Sequence, residues 1–113
     1  MTVETTSENG LVARILTDAD MCEGELLPFA RGEVAVYSAR SPEKQGKNDD
    51  AAALILIDSE QGVLAVADGV GGQAGGESAA ETVLRRLEKA VAAADLPTRT
   101  LRGAILDGVE DGN

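Results

Sequence analysis

An aspartate closes an apolar run and is followed at once by glycines: Asp68, within the stretch VADGVGGQAGGES from Val66 to Ser78. An acid at the tip of a strand is held rigidly, and glycine after it lets the chain turn sharply, so that a backbone carbonyl can point to the same place. Carboxylate and carbonyl oxygens, completed by water, are the ligands that Mg²⁺ and Mn²⁺ take. A second acidic pair, Asp49 and Asp50, stands just before another apolar run. If the two runs pair as an antiparallel hairpin, Asp50 and Asp68 fall at the same end of the ladder, and the carboxylates of Asp49, Asp50 and Asp68 reach one corner. The competing reading is plainer: these acids are polar residues that bound strands, and the glycines are turn.

Two phosphate-binding patterns also touch the glycine-rich stretch. The loop G-x-x-x-x-G-K-[ST] finds GGQAGGES from Gly71 to Ser78, but Glu77 stands where the lysine belongs, and a carboxylate repels a triphosphate. The dinucleotide fingerprint is formally met by Gly69, Gly71 and Ala74. Its ribose-binding acid should close a second strand about 20 residues on, and that distance lands on Glu88 inside a helical pattern. Both matches are weak.

The chain has 113 residues, room for one small domain. It holds no histidine, so the commonest general base and zinc ligand are missing, and any chemistry must run on carboxylates, backbone and water. Cys22 is the single cysteine, which rules out an intrachain disulfide. A net charge of −10 makes nucleic acid and anionic membrane poor partners. No apolar stretch approaches the ~20 residues of a membrane span, and residues 1–10 do not look like a signal peptide, so the expected compartment is the cytoplasm.

The elements that must position the acids follow from the apolar pattern. Residues 1–10, rich in Thr, Ser and Glu, read as a flexible N-terminus, with the domain over 11–113. Residues 11–16 read as a first strand, 17–32 as loop with a turn of helix, and 33–39 as a strand by alternation of Val34 and Val36. Residues 40–50 carry Pro, Gly, Asn and charge, the composition of a loop. The runs 51–57 and 63–67 predict a hairpin buried on both faces. From Gly75 onward, Ala79, Ala80, Val83, Leu84, Leu87, Ala90, Val91 and Ala94 mark one face of a helix. A second helix follows Pro97, with Leu101, Ile105, Leu106 and Val109 as its expected buried side.

Taken together, GKNDDAAALILID and GVLAVADGVGGQAGGESAA resemble the N-terminal signature of the PPM-type (type 2C) metal-dependent serine/threonine protein phosphatases, in particular their bacterial branch. In that family an Asn-Glu-Asp triplet opens one strand, and an Asp-Gly-x-Gly-Gly stretch closes the next and runs through Gly-Glu into a long helix. Asn48, Asp49 and Asp50 match the triplet, with Asp for Glu; Asp68, Gly69, Gly71, Gly72, Gly76 and Glu77 match the second motif. The resemblance covers residues 40 to about 87. It implies an α+β fold, the N-terminal part of an α-β-β-α sandwich with antiparallel sheets, and a binuclear Mn²⁺ or Mg²⁺ centre. On that pattern Asp68 bridges both metals and the Gly69 carbonyl binds one. Asp49 takes the place of the family's glutamate and Asp50 that of its second acid. The metals would activate a water for in-line attack on phosphoserine or phosphothreonine of a phosphoprotein substrate from a protein-kinase pathway.

The chain departs from the family in three places. Gln45 occupies the position of a phosphate-binding arginine, leaving Lys47, Lys44 or Arg40 as substitutes without the paired geometry of a guanidinium at that position. Surface solvation is the simpler reading of each cation. Asp49 is one methylene shorter than glutamate. A complete domain of the family is about twice this length; Asp107 and Asp111 read as helix-end residues rather than its distal acids. The expectation is therefore a partial domain whose complete form hydrolyses phosphoprotein esters, with oligomerisation through exposed sheet edges. The alternative is a non-catalytic phosphatase-like interaction or regulatory module, and a small nucleotide-binding protein comes third.

Overall fold

A computed structural model describes residues 2–7, 10–42, 46–69, 79–94 and 100–112 of the chain. Six strands and two helices follow in the order β1 (Thr2–Thr6), β2 (Val12–Thr17), β3 (Glu25–Phe29), β4 (Gly32–Val36), β5 (Ala51–Leu56), β6 (Gly62–Ala67), α1 (Ala79–Ala93) and α2 (Leu101–Gly112). Strands β1, β2, β5 and β6 form an antiparallel sheet in the spatial order β1-β2-β5-β6, and β3 and β4 form a separate antiparallel hairpin. The fold is α+β.

The larger sheet has two differently covered faces because its side chains alternate. Ala13, Ile15, Ala51, Ala53, Ile55 and Val63 all point to one face and pack against Ala80, Leu84, Leu87 and Val91 of α1. The pairings Ala13↔Ile55, Ile15↔Ala53 and Ile55↔Val63 keep this set in line across three strands, and Ile55 is wholly buried. On the opposite face, Leu16 and Leu54 pack with Leu27, Phe29, Val34 and Val36 of the β3-β4 hairpin. Arg14 stands on this second face. It reaches Glu25 of β3 at 3.0 Å and Glu4 of β1 at 3.8 Å, a link between the sheets that an aliphatic residue would not make.

The helices pair through small residues. A Cβ on Gly108 would stand 2.9 Å from the Leu87 Cα, so the α2 backbone lies almost against α1. Ala104, four residues earlier, is buried on the same side, and Leu101 and Ile105 pack at the margin of the core. Leu106 and Val109, expected in the buried face, are exposed. The reason is the close approach itself: the seam that fits it is lined by Ala104 and Gly108, and larger side chains are turned outward.

Three further expectations are corrected. Residues 2–6, taken as part of a flexible terminus, are edge strand β1, paired to β2 from Thr2↔Leu16 to Thr6↔Val12. Their polarity suits an edge whose side chains mostly face solvent. Residues 25–29, expected as loop, are β3; Pro28 is tolerated because β3 has a single hydrogen-bonded neighbour among the described residues, β4. The β5-β6 hairpin has the expected register, but only β5 is covered on both faces. Leu64 and Val66 of β6 are 56% and 87% exposed; the β3-β4 hairpin reaches β6 at Gly62, against which the Phe29 ring lies. No described helix is long and apolar enough to cross a membrane.

Candidate functional site

The acidic corner is built where β2 ends, β5 begins and β6 ends. Thr17 pairs with Ala51 and Ala51 with Ala67, so Asp18, Asp50 and Asp68 leave the same edge of the sheet. The register expected for Asp50 and Asp68 is the register found. Asp49 is half-buried, and Asp50 and Asp68 are exposed.

Asn48 organises this corner from beneath. It is a buried polar residue, and each polar group of its side chain is used. Its Nδ2 donates to the Ala19 carbonyl at 2.9 Å and to the Ser38 hydroxyl at 3.0 Å. Its Oδ1 accepts from the Asp50 backbone N–H at 3.1 Å, and its own N–H donates to Asp18 Oδ1 at 3.0 Å. Asp18 adopts a left-handed φ of 47°, a conformation that aspartate tolerates better than most residues. One side chain thereby fastens the end of β2, the segment after β4 and the start of β5.

Gly69 is fixed by space rather than by φ. A Cβ there would collide with the Asp49 backbone carbonyl oxygen, so the β6 exit lies directly against the β5 entry. The Gly69 N–H donates to Asp50 Oδ1 at 3.2 Å. This contact ties the two sequence motifs together through one carboxylate and one amide. The glycine after the aspartate is needed for close approach, whereas the sequence suggests a turning role.

Of the cations named from sequence, Arg40 and Lys47 are among the described residues. The Arg40 guanidinium pairs with Asp20 Oδ2 at 3.2 Å and donates to the Gly46 carbonyl at 3.3 Å, while the Arg40 N–H donates to Asp20 Oδ1 at 3.3 Å. Arg40 thus closes its own loop. Lys47 is exposed. Lys44, Gln45, Gly71, Gly72, Gly76 and Glu77 lie outside the described residues.

An all-oxygen donor set of this kind suits Mg²⁺ or Mn²⁺ in type. In arrangement it falls short, since among the described residues no three Asp, Glu or Cys side chains are drawn together as a metal-holding group. Asp18 and Asp50 each spend an oxygen on a backbone N–H, and Asp20 is paired with Arg40. Asp18, Asp20 and Ser38 were not singled out from the sequence. The signal available for the first two was Thr-Asp-Ala-Asp directly after an apolar strand; Ser38 carried none.

Comparison with known proteins gives no match to a family model, a curated protein or a solved structure.

Proposed function

We propose that the chain is a PPM-type phosphatase-like segment whose corner of Asp49, Asp50, Asp68 and Gly69 forms part of a divalent-metal site. In its complete form the domain would hydrolyse phosphoserine or phosphothreonine on proteins. The observation that carries this reading is the register Ala51↔Ala67, together with the Gly69 to Asp50 hydrogen bond, which unites the two motifs at one corner. The helices on one face of the larger sheet and the second sheet on the other support the sandwich architecture that the resemblance implies. When bound, Mn²⁺ or Mg²⁺ would supply the activated water that a chain without histidine cannot supply from a side chain. The residues of this chain hold the corner: Asn48 orients Asp50, and Gly69 sets the spacing of the strands.

A second reading is favoured by two observations. Arg40 is committed to Asp20, and the described carboxylates do not gather into a metal-holding group. Under it, the chain is a non-catalytic phosphatase-like module. One experiment separates the two: Mn²⁺ calorimetry and aryl phosphate hydrolysis on the chain and on Asp68→Asn. Mn²⁺ binding that the variant loses supports the metal-site reading, with or without turnover. Absence of Mn²⁺ binding by the unmutated chain sinks it and leaves the interaction module.

A further inference from the structure

The β5-β6 ladder ends at the pair Ala51↔Ala67, and Asp50 and Asp68 are the next residues out on each strand. Beyond that pair a side chain takes over the link between the two segments: the Gly69 N–H donates to Asp50 Oδ1 at 3.2 Å. Asp50 is itself held, because its N–H donates to Asn48 Oδ1 at 3.1 Å, and Asn48 is buried and anchored to Ala19 and Ser38. The Asp49 carbonyl lies against Gly69 as well, where a Cβ would collide with it. The peptide unit is planar, so a bond that fixes the Gly69 N–H also fixes the Asp68 carbonyl and the direction in which the chain leaves Asp68. Residues 48–50 thus grip the Asp68-Gly69 peptide through one side chain and one carbonyl.

We propose that Asp50 is a positioning residue rather than a metal ligand: its carboxylate oxygen holds the Asp68-Gly69 peptide so that the Asp68 carboxylate and the Gly69 carbonyl can take a divalent cation. This rests on the metal-site reading above and divides the residues of that site into two kinds. The resemblance gives Asp50 the place of a second acid near the metals. The contacts give it a backbone partner instead, and among the described residues Asp49, Asp50 and Asp68 are not drawn together as a metal-holding group. A positioning oxygen has only to accept a hydrogen bond, which the amide oxygen of asparagine also does. The negative charge is therefore dispensable at Asp50. At Asp68 it is not, because those oxygens meet the cation itself. Groups that orient a ligand from behind typically govern metal affinity by about 10–100-fold, so the role is large enough to measure.

The test uses the full chain, with Mn²⁺ calorimetry and the Gly69 amide resonance recorded without metal. Asp50→Ala is expected to shift that resonance, speed its hydrogen exchange and weaken Mn²⁺ binding by about tenfold or more. Asp50→Asn retains the acceptor and should keep the exchange rate. Its Mn²⁺ affinity should stay within about threefold of the starting value, since the charge of exposed Asp50 is screened at physiological salt. Asp68→Asn should lose Mn²⁺ binding. Circular dichroism checks that all three variants keep the fold, and the asparagine rescue separates positioning at Asp50 from ligation. Three outcomes overturn the proposal alone: Asp50→Asn that loses Mn²⁺ as fully as Asp68→Asn, which makes Asp50 a ligand; Asp50→Ala that binds Mn²⁺ as the unmutated chain does; or a Gly69 amide indifferent to Asp50→Ala. Failure of the unmutated chain to bind Mn²⁺ is a different result, which overturns the metal-site reading and the proposal with it.

Discussion

At the scale of single residues, the corner is held by hydrogen bonds that serve structure first. Asn48→Ala removes donors from the Ala19 carbonyl and Ser38 and an acceptor from the Asp50 N–H. Several buried partners lose their mates together, so we expect a loss of about 2–3 kcal/mol in stability, read from urea unfolding. Arg40→Ala should cost less than about 1 kcal/mol, because its pair with Asp20 is half exposed. Equal losses from the two variants would mean that Asn48 is not the fastener described above. Gly69→Ala must displace the Asp49 carbonyl, and a loss of about 1–3 kcal/mol is expected, with shifted Asp49 and Asp50 amide resonances as the direct sign. The meeting of Asp50 and Asp68 was legible in the sequence, because two apolar runs of strand length with a short connection fix a hairpin register. The bonds that tie Asn48 to Asp18, Ala19 and Ser38 were not, since they join segments 10 to 30 residues apart and leave no local pattern.

At the scale of elements, legibility follows burial. The β5-β6 hairpin and α1 were readable because each buries a continuous face, with period 2 or 3.6. Strand β1 has no such face, and its threonines and glutamate match an exposed edge. Strand β3 is masked by Pro28, which reads as a strand breaker unless the strand is known to lie at an edge. In α2 the apolar period was visible but its polarity was misjudged, because close helix packing selects glycine and alanine over leucine and valine. Gly108→Leu is accordingly expected to loosen α2 from α1 and lower the melting temperature, whereas Leu106→Gln on the exposed side should leave it nearly unchanged. The hairpin of β3 and β4 turns through Ala30 and Arg31, and Ala30 takes a φ of 50°, where a Cβ is strained by roughly 1–2 kcal/mol. Ala30→Gly removes that strain against a smaller entropic cost, so a gain of about 0.5 kcal/mol is expected in urea unfolding. A loss there would mean that the turn is not strained in solution.

At the scale of the whole molecule, the sheet of β1, β2, β5 and β6 carries two cores of unequal size. The helix side joins residues of β2, β5, β6 and α1, with Leu101 and Ile105 of α2 at its margin. The hairpin side has Leu16, Ala19 and Leu54 as its buried members, and half-buried residues of β3 and β4 pack against them. Regions with less buried apolar contact open at lower free energy, so the molecule should not unfold everywhere at once. Native-state hydrogen exchange in rising urea is expected to expose the β3 and β4 amides first, together with those of β1, whose one strand neighbour among the described residues is β2. Amides of β2 and β5 and the middle of α1 should persist to the global transition, because their side chains face the larger core, as Ala13 and Ile55 do at full burial. The Arg14 link to Glu25 spans the two sheets and ties their fates. Arg14→Leu should therefore lower the protection of β3 more than that of α1, while stability of the helix side stays close to its starting value. Exchange of β3, β5 and α1 at one common free energy would instead mean that the hairpin belongs to the same cooperative unit as the helices, and that the two faces of the sheet fold as one core.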